Sequence, residues 1–573
     1  MIGALYEFGK ILTRNKPNLG EVSPEKVSAD RLIILNFDLE GNLTDIEESR
    51  NISELADKLL YKKVRASRRC NSCTPTFFLN VKEPDKSIKC LKAIFNWLKK
   101  YNSRIPELKD FKKITATLKN YLLNFPPKKK EKTLLTVRID RKFPAEIPAI
   151  VEAFKIGYLE ELGFTNGVCA LCGKKTKVSG KKSPFAFYTL DKIGYLSGFS
   201  IERHYRGFPI CFKCLRILEE AKRIIEKHTF VLTKAAPKYW FIPNPVLSET
   251  TEEKLEELFE NIYDLEYLKR YLKLTKTEFQ KLSDTDEDIL DLLKELKDSL
   301  TFHLVFVEKN QSQELIRLHI QDVYPSRIRK LFEAKFYVER NLNLNLKEFT
   351  FNTVGQFFWK WDKESKNRNL QKYFLELLDR IFRKIPYSEK LLIKFLLNGI
   401  RQAYKEELEG GGKKIPYKSL DAIASFLFVK ATTEGVMSEI KNNDIRNLVE
   451  SLPLLKSPEA KGLFLLGILT QRLLDKQAGS REGNKPFLKK LSGFKLNERG
   501  FKKLMPELRE KMEAYEIFGK FERELFDLAS EYFAQSNKPW KLSLEEMNFV
   551  FAVGMGMKNR VYDKHFNSEE DQP

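Results

Sequence analysis

Histidine is scarce in this chain, five in 573 residues. A His-rich metal nuclease is hard to build from so few scattered imidazoles. The sequence has no His-Asp dipeptide, no H-E-x-x-H and no G-x-S-x-G, which removes the common zincin and serine-hydrolase constellations. It has no phosphate loop of the form G-x-x-x-x-G-K-[ST] either. Gly410-Gly411-Gly412-Lys413-Lys414 lacks the hydroxyl residue that would follow and the apolar strand that would precede, so it reads as a loop or linker. Paired carboxylates, Glu47/Glu48 and Glu545/Glu546, fall in solvated or capping contexts. No catalytic residue is assigned, and the chain is expected to be a binder rather than an enzyme. Long apolar runs are missing too. Gly462–Leu469 is the longest strongly apolar stretch, far below the ~20 residues that span a bilayer. Met1–Leu12 reads as an amphipathic helix, not as a secretory leader. Seven cysteines are too few to staple a lysine-rich chain of this length. The expectation is a protein of the reducing cytoplasm with no membrane partner.

What is abundant is positive charge. Lysine and arginine outnumber aspartate and glutamate by 22, and the isoelectric point is near 9.3. The excess is unevenly placed. Residues 60–142 carry 23 basic and 6 acidic side chains, whereas residues 437–573 carry 23 and 21. A uniformly solubilised surface would not concentrate its charge in this way. Clustered cations are what phosphate neutralisation requires, so a nucleic-acid partner is expected.

A chain of this length needs several cores. Arg31–Leu39 reads as a buried strand, Tyr61–Ala66 as a shorter one, and Thr133–Asp140 as a third. Helical spacing covers Ile88–Tyr101, Pro148–Leu162, Leu215–Lys227 and the acidic-leaning Glu249–Leu300. Phe302, Leu304 and Phe306 alternate on one strand of a hairpin, and Ile316, Leu318 and Ile320 on the other. His303 and His319 fall opposite that apolar face and are expected to be cross-strand neighbours at the surface. Ser326 is a candidate cap for the next helix. Beyond about 326 the pattern is almost wholly helical. Ser457-Pro458 opens one helix, and Ser543-Leu544-Glu545-Glu546 is a capping box opening another. The expected architecture is α+β. A basic α/β region (1–164) is followed by an inserted four-cysteine zinc module (165–216) and the rest of the N-terminal domain with its hairpin (217–325). A helical connection (326–436) then leads to an all-α C-terminal bundle (437–573).

The strongest local pattern is two Cys-x-x-Cys pairs, Cys169/Cys172 and Cys211/Cys214, separated by the long segment 173–210. Each pair places two thiolates on one turn, and two such turns complete a closed tetrahedral site of the structural-zinc kind. Simple four-cysteine fingers have a gap of about 15–20 residues, so this longer gap must hold structure of its own. Phe185–Leu190 and Tyr195–Phe199 are the candidate strands. Lys174, Lys175, Lys177, Lys181 and Lys182 follow the first pair as a basic tip. Cys70 and Cys73, with Cys90, lack a fourth ligand for a second metal. Cys90 sits on the apolar face of the Ile88–Tyr101 helix and reads as a small core residue.

Several segments, in order, carry a family resemblance. They are Met1–Lys10, the strand Leu32–Leu39, Thr74-Pro75-Thr76, Phe187–Lys192, Phe208–Cys214, Asp322–Arg327 and the helical C-terminus. With these the sequence resembles the large subunit of the subtype I-B CRISPR surveillance complex (Cascade), the b-type of the eighth Cas protein family. The resemblance implies recognition of a protospacer-adjacent motif on double-stranded target DNA and help in opening it. It also implies stabilisation of the displaced single strand in an R-loop, and recruitment of a helicase–nuclease. Partners would include crRNA and the backbone, crRNA-end-capping and small subunits. Candidate DNA contacts are Lys62, Lys63, Arg65, Arg68, Arg69 and Asn71 in one basic loop, together with the lysines 174–182, mostly as phosphate contacts. Relatives can also make the small subunit from an internal start, and Met437 is the only methionine between Met1 and Met505. A start there would yield a product covering 437–573. The competing readings are a zinc-containing nuclease or RNA-modifying enzyme, and a plain scaffold.

Overall fold

The computed structural model describes residues 1–573 apart from 26, 63–71, 129–130, 188–199, 201–202, 204–206, 228, 246–299, 311–312, 343–347, 360–369, 411, 413, 442–443, 482 and 571–573. The expected helix Glu249–Leu300 lies outside the described residues but for its last. The chain forms two compact units, Gly9–Arg223 and Met1–Phe8 with Ile224–Pro573.

The first unit is built on a four-stranded sheet in the order β2-β1-β4-β3, with β1 Arg31–Phe37, β2 Leu43–Ser49, β3 Phe77–Phe78 and β4 Thr133–Ile139. β1 and β4 pair in parallel, Leu32 beside Leu134 through Phe37 beside Ile139, while β2 and β3 run antiparallel on the edges. Every residue of β1 is buried, as an unbroken apolar run predicts for a central strand. Alternation divides its side chains between two cores. Ile33, Leu35 and Phe37 join Leu135, Val137 and Ile139 in the larger one. Leu32, Ile34 and Leu134 face the other way, toward Ile52, Leu59 and Phe143. The larger core is covered by helices that follow α1 (Ile2–Leu12) and the single turn α2 (Ile52–Leu55): α3 (Pro84–Lys99), α4 (Phe111–Asn124) and α5 (Pro148–Glu161). α3 contributes Ile88, Leu91, Ile94, Phe95 and Leu98, and α4 contributes Ile114, Leu118 and Leu122. Polar Asn36 is buried within β1 too, and so, at its start, is Arg31. Its guanidinium is buried and is matched by Glu48 on β2 at 2.6 Å and the Phe125 carbonyl at 3.0 Å.

The second unit holds a three-stranded antiparallel sheet, order β10-β9-β8, with β8 Tyr239–Pro245, β9 Leu300–Asn310 and β10 Gln313–Val323. β9 and β10 are the expected hairpin. Bulges after Ile316 and Ile320 shift the register, so that Ile320 faces Leu304 and Val323 faces Phe302 while Ile316 stays exposed. The histidines are cross-strand neighbours, with His303 Nδ1 3.1 Å from His319 Nε2. They are not both on the surface, however. β8 flanks β9 on its other side, pairing Ile242 with His303, and His303 is buried.

The rest of this unit is helical among the described residues, from Pro325–Asn341 to Leu544–Glu570. Ser326 does not cap the first of these helices. Tyr324 occupies the cap position, without a side-chain bond, and Pro325 supplies the preset first turn. Ser457 accepts the Ala460 N–H at 3.4 Å, and Ser543 and Glu546 form the reciprocal capping box as the sequence predicts. The helices Pro458–Ser480 and Leu544–Glu570 touch backbone to backbone. A Cβ at Gly467 would lie 2.0 Å from the Phe551 carbonyl oxygen, and one at Gly554 2.0 Å from that of Phe464. The boundary expected at 436/437 falls inside this unit. Phe426 of the helix Ile415–Glu434 packs on Phe549, and Gly556 sits against the backbone of Pro416 and Leu420.

Burial, first of all, pushes both His303 and His319 down to about 4 from an ordinary 6.5. The N-terminal amine adds to this for both rings; at His319 so do His303 and Arg383, while Asp322 opposes it. A ring whose folded value is depressed binds protons more readily when unfolded, so stability is lost as pH falls from about 6.5 toward 4. Thermal unfolding between pH 7.5 and 5 should therefore cost the native chain more in Tm than a His319→Gln variant, and equal slopes for the two would refute this.

Candidate metal centre and basic surface

The four-cysteine module begins where α5 ends. β5 (Thr165–Val168) turns through Cys169–Gly173 into β6 (Lys175–Ser179), and β6 also pairs with the short β7 (Ile210–Cys211), which runs into α6 (Phe212–Lys227). The first cysteine turn closes with Gly173 N–H donating to the Cys169 carbonyl at 2.9 Å, and Gly173 takes the left-handed φ of +71° that a residue with a side chain rarely adopts. Of the second pair, Cys211 ends β7 and Cys214 sits on the first turn of α6, where free backbone N–H groups favour negative sulfur. The two turns are tied directly. Ala170 N–H donates to the Pro209 carbonyl at 2.7 Å, and Cys211 N–H to Cys169 Sγ at 3.3 Å.

All four sulfurs lie within 4.8 Å of one another, and Cys172 Sγ is 3.9 Å from Cys211 Sγ. Four sulfurs each about 2.3 Å from one ion stand about 3.8 Å apart in a tetrahedron, so the donor set fits a metal ion. Cys169, Cys211 and Cys214 are buried and Cys172 is half-buried. The hydrogen bond from Cys214 is the main cause that draws the Cys211 thiol down to about 5, while burial raises that of Cys172. Of the strand expected at Phe185–Leu190, Phe185–Phe187 are not strand, and the rest of it, with the expected strand Tyr195–Phe199, falls in 188–199, outside the described residues.

The lysines of the module are exposed, but they do not form a loop tip. Lys175 and Lys177 are strand residues of β6 pointing away from buried Val178, with Lys174 at the turn and Lys181 and Lys182 beyond the strand. None of the five forms an ion pair among the described residues. The upstream loop is different. Lys63, Arg65, Arg68, Arg69 and Asn71 lie outside the described residues, and Lys62 is turned inward. Its ammonium bonds Glu25 at 3.0 Å and the Ser23 carbonyl at 3.4 Å and lies over the Tyr158 ring. A lysine buried and neutralised in this way anchors the loop and is not free to meet a phosphate. Cys73 N–H donates to the Lys62 carbonyl at 3.4 Å and Tyr61 bridges Thr76, so the two ends flanking 63–71 are pinned together. Burial pushes the Cys73 thiol up to about 12, which keeps it a protonated core group. Cys90 is buried as expected but is disulfide-bonded, so it is not available as a metal ligand.

The sequence reading missed the role of Arg327 in the Asp322–Arg327 segment. Its guanidinium donates to the carbonyls of Ile381, Phe382 at 3.2 Å and Thr432 at 2.5 Å, which closes the C-terminal ends of two helices. An arginine just after a Pro at a helix start gives no local hint of partners so far along the chain. No helix among the described residues is long and apolar enough to cross a membrane.

No curated protein matches the chain. Family descriptions do match, in order and over most of its length. The N-terminal domain of CRISPR-associated protein TM1802 matches residues 1–155, its central domain residues 166–323, and its C-terminal domain residues 349–569. The central match contains the whole four-cysteine cluster and the hairpin of the second unit. The chain therefore belongs to the CRISPR-associated TM1802 family.

Proposed function

We propose that this protein is the non-catalytic large subunit of a type I-B crRNA-guided surveillance complex. It checks the protospacer-adjacent motif on double-stranded DNA, helps unwind it, holds the displaced strand and receives the helicase–nuclease. The observation that carries this reading is a family match along all three parts of a strongly basic chain whose cysteine module holds its lysines in solvent, without acidic partners among the described residues. In guide-directed recognition, base pairing reads most of the sequence. Protein supplies a short motif check and a positive channel, for which such a surface is suited. crRNA and the other subunits of the complex are the partners that follow. The test compares assembled complexes with and without this chain on duplexes carrying an intact or scrambled motif. Motif-dependent binding should vanish without the chain, and discrimination that persists without it would overturn the assignment.

The metal is proposed to be zinc in a structural role, held by Cys169, Cys172, Cys211 and Cys214. It would cross-link the β5–β6 turn to the start of α6 and supply no chemistry. Elemental analysis of the purified chain should give one zinc per molecule. A Cys211→Ser/Cys214→Ser variant should lose it, together with several degrees of Tm, because removal of a structural metal removes its binding free energy from the folded state. A native chain without metal, or a variant of unchanged Tm, contradicts the proposal.

Met437 is proposed as the start of a separately made small subunit. It lies between the helices Ile415–Glu434 and Ile445–Ser451, so a start there would cut no helix. Intact-mass analysis of the expressed gene should show a second species with the mass of 437–573, lost on Met437→Leu. Its absence would rule out this start.

A further inference from the structure

The stretch 60–142 carries the largest charge excess in the sequence, yet the loop that first drew attention within it accounts for only part. The fold gathers another part elsewhere. α3 and α4 pack side by side and antiparallel, since Lys119 late in α4 meets Asp85 at the start of α3 at 2.8 Å while Lys92 in mid-α3 lies over Phe111 at the start of α4. Their apolar sides are locked into the larger core. The outward positions of α3 include Lys89, Lys92, Asn96 and Lys100, and those of α4 include Lys112, Lys113, Ala116 and Asn120.

Several basic residues of this region are already neutralised, Lys86 by Glu83, Lys99 by Glu107, Lys109 by Glu40 and Lys119 by Asp85. Lys89, Lys92, Lys100, Lys112 and Lys113 are exposed and form no ion pair among the described residues. Five uncompensated cations on one rigid two-helix face carry a cost in self-repulsion that a polyanion relieves. The residues between them are Ala93, Asn96, Ala116 and Asn120, small or polar. Single-stranded nucleic acid is held on exposed aromatic platforms; here Phe111 is half-buried under Lys92, and exposed Phe125 lies past the end of α4 opposite to Lys112 and Lys113.

We infer that the outward face of α3 and α4 is a phosphate-binding surface for duplex DNA that acts without regard to sequence, through Lys89, Lys92, Lys100, Lys112 and Lys113. This rests on the nucleic-acid reading above and adds a second, motif-independent contact. Such a surface holds the duplex while the motif is being checked elsewhere, and it draws its affinity from counterion release.

The experiment uses the purified full chain and two labelled duplexes of unrelated sequence, one with the motif and one without, titrated across salt. A variant with all five lysines changed to Gln should lose about tenfold or more in affinity for both duplexes alike. Its log K against log salt slope should shrink by about 4.5, at about 0.9 for each of five phosphate contacts. A five-Arg variant should keep both affinity and slope, and matching Tm values would show that the Gln variant is folded. Unchanged duplex binding in the Gln variant, loss confined to the motif-bearing duplex, or loss of single-stranded RNA binding alone would each overturn this surface while leaving the motif-reading role intact. Failure of the native chain to bind any nucleic acid at low salt would overturn both.

Discussion

The approach of four sulfurs to within 4.8 Å is the constraint that ties the cysteine module together. Cys169 and Cys172 lie on a turn between two short strands, Cys211 at the end of a third and Cys214 on the first turn of a long helix. Strands this short have little stability of their own. Val178, Phe185 and Ile210 are buried within the module, and the cysteine cluster ties the turn directly to the start of the helix. The lysines of β6 stand on a frame held by the cysteine turns and by the Ala170–Pro209 backbone bond.

Charge is handled in two ways in this molecule. Three buried cations are paired with acids. Arg31 has Glu48 and a carbonyl, Lys62 has Glu25, and Lys485 meets Glu407, whose carboxylate also takes the N–H groups of Lys414 at 2.8 Å and Ile415 at 2.9 Å. Breaking such a pair leaves a buried charge without its partner, at a cost of about 3–5 kcal/mol. Where cations are exposed on α3, α4 and β6, many are left uncompensated. The division separates basic residues that build the fold from those available to a polyanion, a distinction that charge counts along the sequence do not contain. Lys62 and Lys89 look alike in a composition profile and differ entirely in what their ammonium groups touch.

In the second unit, close helix contact replaces charge as the organising theme. Gly467 and Gly554 let the helices Pro458–Ser480 and Leu544–Glu570 meet backbone to backbone, and Arg327 closes the ends of two others. The packing of the helix Ile415–Glu434 on Leu544–Glu570 runs across the point where a separate small subunit would begin. A fragment starting at Met437 keeps its own helices but leaves uncovered an apolar surface that the full chain covers with Phe426. That surface is the part of the fragment that would need a new neighbour.

The strands β1 and β4, the hairpin, the helix caps at Ser457 and Ser543 and the four-cysteine cluster were legible in the sequence, because each rests on spacing over a few residues: alternation, helical period or a Cys-x-x-Cys turn. The family resemblance was legible for a similar reason, as local motifs in a fixed order. The parallel pairing of β1 with β4, the bulges that leave Ile316 exposed, the burial of His303 and Lys62, and the joint lysine face of α3 and α4 were decided only by tertiary structure. Each depends on what packs against a residue from a distant part of the chain. Periodicity states which side of an element is apolar, but not which neighbour covers it or which lysine finds an acid.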